Sequence, residues 1–395
     1  MRFAMGDKPQ GNQMRPRPPM RGRYLVRSLT SALLLSMVDL IFDRFRSLQG
    51  SIPDPLDSIL LANWAHLGDL VLSLPAMDLL RDRFPNARIG IIVGSWAAAA
   101  LKGTGLVDEV YTVDHWKLNR ASTSGLEKFS HYVKTRRIAL REIIAAKYEV
   151  GLDLYPFFPP ASPLFYLAGI PNRIGFTSGG FGGLLTHPKI WPNLDRHVIH
   201  HARELLLPIL PDAFECDLRP CFPGSPQSPV PSALLDVREY VLLHMGAGTP
   251  NKEWHDENWK IVIQGIASKG LQIVITGSGK VDQDRALNLK SDFPGIINLV
   301  NRTDLSEFVS VVAHAKLLVC LDTATAHIAA AFSVPTVCLF TGTNNLKQWH
   351  PLADTTKVLI NPVPCMPCYR PGCFEMACIK GIQPTDVLRN INAFL

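Results

Sequence analysis

The sequence predicts an α/β protein made of two parallel-sheet halves that face a central cleft. Short apolar runs that read as strands alternate with helix-period segments along most of the chain. That alternation is the mark of a mostly parallel sheet with right-handed crossovers. A proline-rich stretch without periodicity, Asp217–Pro231, interrupts it near the middle, as an interdomain linker would, and the alternation then starts again. At 395 residues, 47 % hydrophobic and 19 % charged, the chain is long enough for two domains with cores of their own. This composition excludes a disordered protein.

The chain divides into five parts: 1–55, 56–216, 217–236, 237–383 and 384–395. In the first part, residues 1–27 carry Arg2, Lys8, Arg15, Arg17, Arg21, Arg23 and Arg27 against Asp7 alone, a net +6 that equals the charge of the whole protein. The rest of the chain is therefore neutral overall. Leu25–Phe45 follows and is strongly apolar, but its longest charge-free run, Ser28–Val38, is 11 residues. A bilayer span needs about 20. On a helix, Ser28, Ser36, Asp39, Asp43 and Arg46 gather near one stripe and leave a broad apolar face. A basic arm with such a helix suits an anchor at a membrane surface, in preference to a nucleic-acid contact. An extra helix docked on the core fits the same residues. The long basic lead without a small-residue cleavage site argues against a signal peptide.

In the first half, Ile59–Asn63 reads as a strand, His66–Asp69 as a turn, and Leu70–Phe84 as a helix stopped by Pro85. Arg88–Val93, Glu109–Val113 and Glu149–Leu154 read as further strands, with helices from Trp96 and over 126–147. In the second half, the expected strands are Tyr240–His244, Leu271–Thr276, Ile296–Leu299, Leu317–Leu321 and Pro335–Phe340. Helices are expected over Asp256–Ser268, Asp282–Asp292, Leu305–His314 and between the last two strands. Pro384–Leu395 closes the chain as a helix with proline in its first turn. The two halves are Rossmann-like, and ligands in such folds sit beyond the carboxyl ends of the strands.

Four clusters fall at such places. Gly68-Asp69 opens a helix after the first strand, so Asp69 reads either as a helix cap or as a general base facing the cleft, with His66 beside it. His244–Trp254 (HMGAGTPNKEW) carries a strand into Gly246, Ala247, Gly248 and Thr249, with Lys252 close behind. Glycines let backbone approach an anion and a lysine neutralises it, although this is not a Walker A loop. Thr276-Gly277-Ser278-Gly279 reads as a ribose or base site, or as a tight turn. The Asp282-Gln283-Asp284 that follows reads as charge complementing a helix start. Asp322, Thr323, Ala324, Thr325 and His327 crowd a strand-to-helix junction whose free N–H groups suit a phosphate. Separately, Cys365, Cys368, Cys373 and Cys378 lie within 14 residues. Their spacing fits a structural zinc or iron–sulfur site, reduced thiols, or a local disulfide. Cys320 and Cys338 lie in apolar strands and read as core thiols.

Together these pieces resemble glycosyltransferase family 9, the ADP-heptose:lipopolysaccharide heptosyltransferase family. The resemblance rests on HLGDLVLSLPAMDLLRDRFP, the RIGF of Arg173–Phe176, HMGAGTPNKEW, LDTATAHIAAAFSVPTVCLF, the QWHP ending at Pro351, and the cysteine cluster. It covers Ile59 to the C-terminus and implies the GT-B architecture. It further implies an inverting, metal-independent transfer, with Asp69 as catalytic base. Lys252 and Gly246–Thr249 would hold the diphosphate, and Asp322, Thr323 and His327 the sugar and phosphate of a nucleotide-sugar donor. The acceptor would be a lipopolysaccharide or other lipid-linked glycan, met at the cytoplasmic face of the inner membrane; no cofactor is required. Ala324 stands where the family writes glycine, and Asn63–His66 lack the serines of the best-studied heptosyltransferases. A nucleotide-sugar epimerase of the same shape and a non-catalytic nucleotide-sugar or glycan-binding protein are the alternative readings.

Overall fold

The computed structural model describes residues 23–26, 28–45, 50–191, 195–223, 229–368 and 373–395. Most of the basic arm therefore lies outside the described residues. The first sheet consists of β1 (Ser58–Ala62), β2 (Arg88–Val93), β3 (Glu109–Thr112), β4 (Val150–Asp153), β5 (Asn172–Phe176) and β6 (His187–Lys189). The second consists of β7 (Tyr240–His244), β8 (Gln272–Thr276), β9 (Ile297–Asn298), β10 (Leu317–Leu321), β11 (Thr336–Leu339) and β12 (Thr356–Leu359). Their orders are β3-β2-β1-β4-β5-β6 and β12-β11-β10-β7-β8-β9, and every pairing is parallel. Read from β9, the second order repeats the first. The strand order reverses at β1/β4 in one sheet and at β7/β10 in the other, and at such a reversal the crossovers part to open a crevice.

The central strands are covered on both faces, which is why they read as unbroken apolar runs. Ile59, Leu60, Leu61, Leu317, Leu318 and Val319 are all fully buried. The elements the pattern did not announce include β5, β6, β12, the helix Val198–Leu206 and the short helices Ser162–Leu167, Leu346–Trp349 and Ala377–Lys380. β6 is a short edge strand containing Pro188, and β12 is an only partly buried edge, so neither carries an apolar run. β5 holds a charge in the interior: Arg173 donates to the carbonyls of Leu184 (2.6 Å), Ile170 (2.5 Å) and Pro171 (3.3 Å). The guanidinium satisfies backbone oxygens that would otherwise be orphaned.

The two halves touch. Helix Leu67–Arg83 packs on helix Ala324–Ala331, helix Leu305–Ala313 packs on the turn Ala99–Leu101, and one apolar cluster runs through both sheets. The proline-rich stretch is not a free tether either. Leu218 packs with Leu72 and Ile199, and Leu234 just after it joins the main core.

The N-terminal helix, Leu29–Phe42, starts at Ser28, whose hydroxyl accepts the Ser31 N–H at 2.9 Å. It is docked, and of its polar stripe only Asp39 lies in the docked side, while Ser28, Ser36 and Asp43 are exposed. Asp39 is fully buried and accepts from Arg23 Nη2 (2.6 Å), Tyr24 OH (2.7 Å) and the Gly182 N–H (3.0 Å). Ala32 and Leu35 pack beside it with Tyr24, Val26 and Phe158. Gly183 admits the close approach of the helix end, since a Cβ there would lie 2.5 Å from the Phe42 carbonyl. The apolar face points the other way, with Leu29, Leu33, Leu34, Met37, Leu40 and Ile41 all more than half exposed. No helix among the described residues is long and apolar enough to cross a membrane. Replacing Asp39→Ala leaves the Tyr24 hydroxyl and the Gly182 N–H without their partner. It is expected to weaken docking of this helix by about 3 kcal/mol, read as faster amide exchange over 29–42 with little change over β1.

Candidate active site between the two switch points

The first wall grows from the carboxyl end of β1. Asn63, buried, donates to the Asp69 carbonyl (3.0 Å) and to Ser73 Oγ (2.6 Å), and Ser73 in turn donates to that carbonyl (3.0 Å). Trp64 Nε1 donates to Pro159 O (2.9 Å) and Trp96 Nε1 to Ala65 O (2.7 Å), so the loop is clamped on both sides. The helix begins at Leu67, earlier than the expected Leu70, with His66 as its cap residue. Asp69 is thus the third helical residue rather than the cap. Its Oδ2 accepts the His66 N–H at 3.2 Å, satisfying one of the donors every helix start leaves free.

Asp69 is half-buried, and burial raises its pKa to about 6 against the pull of the His66 N–H, Arg120 and Lys252. His66 is lowered to about 4 by burial and by Arg120. Three residues of this wall were missed in the sequence. Asp153 ends β4, the other side of the switch point, and accepts the N–H groups of Tyr155 (3.1 Å) and Ala161 (2.6 Å); burial lifts its pKa to about 7. Tyr155 stands near both carboxylates, and burial and their charges push its phenol up. Arg120 reaches over from the loop after β3, and its Nη1 lies 2.3 Å from where a Gly248 Cβ would sit. None of the three belongs to a local motif.

The second wall grows from β7 and β10. Gly246, Ala247, Gly248 and Thr249 lead into the turn Pro250–Lys252. Lys252 Nζ donates to Asp322 Oδ2 (2.6 Å) and to Asp322 O (3.1 Å), and Asn344 Nδ2 reaches the same carboxylate oxygen at 3.1 Å. Asn344, too, was not singled out in the sequence. Thr323 is the cap residue of helix Ala324–Ala331 but its hydroxyl caps nothing. Thr323 Oγ1 and His327 Nδ1 are buried without a hydrogen-bond partner, and buried polar atoms in that state mark a place where a ligand oxygen or proton would fit. Burial lowers His327 to about 4.

The walls meet at glycine. A Cβ on Gly68 would lie 3.6 Å from both Ala324 Cα and His327 Cδ2, so the two helix starts face each other directly. Beside Asp69 a narrow cavity of about 40 Å³ is left between residues of both halves, including Ser73, Tyr155, His201 and Trp349. Gly277 lies beside Gly246, at the end of the neighbouring strand. A Cβ there or on Gly246 would meet Asp282 Oδ2 at 2.6 and 2.2 Å. These glycines admit Asp282, which accepts the Ser278 N–H (3.0 Å) and pairs with Arg285 (3.3 Å). Cys365, Cys368, Cys373 and Cys378 are free thiols, and Cys365 is raised by burial and by the other three nearby. Among the described residues no three His, Cys, Asp or Glu side chains are grouped to hold a metal ion.

A family model described as glycosyltransferase family 9 (heptosyltransferase) matches residues 137–378. Lipopolysaccharide heptosyltransferase 1 of Escherichia coli O18:K1:H7 is 22 % identical over 289 residues, covering 71 % of this chain and 85 % of that protein. The structure of E. coli ADP-heptose lps heptosyltransferase II superposes with a TM-score of 0.66 at 20 % identity, covering 85 % of this chain and 98 % of that one. E. coli heptosyltransferase WaaC with ADP-2-deoxy-2-fluoro heptose gives 0.68 at 18 % identity, covering 86 % and 100 %. Likeness at this identity establishes the GT-B fold.

Two substitutions probe the charges of the site. Arg120→Met removes a cation that holds Asp69 down, so the Asp69 pKa is expected to rise above about 6, read by carbonyl-carbon NMR titration. Lys252→Ala leaves the buried Asp322 with Asn344 alone. It is expected to cost about 3 kcal/mol in urea unfolding, where an exposed lysine would cost under about 0.5 kcal/mol.

Proposed function

The chain belongs to glycosyltransferase family 9, and on that premise we propose that it moves a heptose-like sugar from a nucleotide-diphosphate sugar to a hydroxyl of a lipopolysaccharide or related lipid-linked glycan. The observation that carries the reading is the opposition of Asp69 to the start of helix Ala324–Ala331. A carboxylate with its pKa raised to about 6 sits across from an N-terminus with unpartnered Thr323 and His327 and a lysine alongside. ADP-heptose is the donor favoured by the relatives, two of whose structures name ADP-heptose or an ADP-heptose analogue.

Asp69 takes the proton of the acceptor hydroxyl as that oxygen attacks the anomeric carbon from the face opposite the diphosphate. The new C–O bond forms while the bond to the diphosphate oxygen breaks, the diphosphate leaves with the electron pair, and the configuration inverts. A base of pKa near 6 is ionised at neutral pH and still basic enough to share a proton. Lys252, aimed by Asp322 and Asn344, and the free N–H groups of the helix start take up the charge of the departing diphosphate, so the scheme needs no metal ion. His66, kept neutral by burial and Arg120, lines the acceptor side without adding charge beside the base.

Asp69→Asn tests the reading. Turnover is expected to fall by about 10²–10⁴ while donor binding, followed calorimetrically, stays within about twofold. Parallel loss of both would sink the assignment, and consumption of donor without acceptor would establish the epimerase instead. In the native protein kcat/KM should fall about tenfold per pH unit below about 6, because protonation removes the base. The stability effect runs the other way. The folded pKa lies above the unfolded value of 3.8, so folding binds protons and stability is lost as pH rises from about 4 through about 6. Asp69→Asn escapes that loss and should be about 1–2 kcal/mol more stable than the native protein at pH 7.5, the gain vanishing near pH 4.

A further inference from the structure

The N-terminal helix is turned inside out relative to an ordinary surface helix. Its one buried carboxylate, Asp39, faces the protein beside Ala32 and Leu35, and its other leucines, its methionine and its isoleucine face outward at 56–70 % exposure. Leu29, Leu33, Met37 and Leu40 form a continuous stripe at helical spacing, flanked by Leu34 and Ile41. A run of this kind on a soluble monomer calls for a partner.

A second exposed apolar patch lies next to it. Phe158, which packs under the helix with Tyr24, Ala32 and Leu35, also contacts the His115 ring at 6.4 Å, and Lys117 Nζ lies 4.6 Å above the Phe158 ring. His115 stacks on Trp116 and touches Tyr132, which in turn contacts Phe129. Trp116 is 44 % exposed, and Leu126, Phe129 and Val133 form an exposed stripe at the start of helix Gly125–Ala146. Farther along the same face come Lys134, Arg137 and Arg141, all exposed. The two patches are thus linked beneath the helix through Phe158, on the half that carries Asp69.

We propose that this composite face, the outward side of helix Leu29–Phe42 with the Trp116–Val133 patch, rests on an anionic lipid bilayer. The chemistry selects that occupant. Apolar side chains with a tryptophan among cations match the boundary between acyl chains and negative headgroups. The segment that precedes the helix in sequence adds a net +6 over residues 1–27. The proposal leans on the reading above only for the expectation that the acceptor is lipid-linked. It gives the acceptor half a fixed orientation on the surface where such an acceptor resides.

The test uses the full chain, without donor or acceptor, in flotation with vesicles of phosphatidylglycerol and phosphatidylethanolamine, against vesicles of phosphatidylcholine alone. Binding to the anionic vesicles is expected, weakened in 0.5 M salt. The triple variant Leu33→Glu, Met37→Glu, Leu40→Glu should lower the bound fraction at least about tenfold, and Trp116→Ser with Phe129→Ser about threefold. All five positions are exposed, so folding should be preserved, checked by unchanged thermal unfolding and by turnover of a delipidated acceptor within about twofold. As a second readout, brominated acyl chains should quench the native protein more than a Trp116→Phe variant. Native protein that ignores anionic vesicles would overturn the proposal, as would a triple variant that binds them undiminished. So would light scattering in which the triple variant turns a dimer into a monomer while vesicle binding stays the same. Failure of the Asp69 tests would leave these vesicle results untouched, so the two readings fail separately.

Discussion

The approach of Gly68 to Ala324 and His327 is the contact on which the site depends. Each sheet reverses its strand order at one place, and a reversal leaves the carboxyl ends of two strands uncovered. One reversal delivers the start of helix Leu67–Arg83, the other the start of helix Ala324–Ala331, and the two pack against each other. A larger residue at 68 or 324 would hold these starts apart. With small residues there, the walls close until Asp69, Arg120, Lys252 and Asp322 share one partly dry space.

Charge in that space is balanced across the halves. Asp322 is neutralised by Lys252 and accepts a hydrogen bond from Asn344 within its own half. Asp69 has no direct cationic partner at bonding distance in the described structure; it is steadied by a backbone N–H and by the more distant Arg120 and Lys252. Burial therefore wins, and its pKa rises. A carboxylate with a tight ion pair would have moved the other way and been a poorer base at neutral pH. Asp153 behind it shows the same dominance of burial, but its oxygens are committed to the Tyr155 and Ala161 N–H groups, so it holds the loop that carries Tyr155.

The N-terminal helix makes a different use of a buried carboxylate. Asp39 bonds to a guanidinium, a phenol and a backbone N–H, and those bonds fix which side of the helix faces inward. One polar residue thereby turns six apolar ones to the outside. The turn Gly180–Leu184 that receives it follows directly on β5 and the RIGF motif, tying the helix to the same half as Asp69.

By itself the sequence determined the two alternating halves, because buried parallel strands must be continuous apolar runs and their crossovers must be amphipathic helices. It also determined which loop residues lie at the strand ends, since Gly, Asp, Thr and Lys break the apolar runs there. Only the tertiary structure decided which groups meet there. Lys252 and Asp322 are 70 residues apart, and Asp39 and Gly182 are 143 apart. Arg120, Asp153, Tyr155 and Asn344 belong to no short pattern. At Gly246 and Gly277 the space a Cβ would take is filled by Asp282, a packing contact that local sequence does not show. The helix stripe of Ser28, Ser36 and Asp39 was plain in the sequence. Which side of it would face the protein was not, because that is decided by partners that local periodicity does not encode.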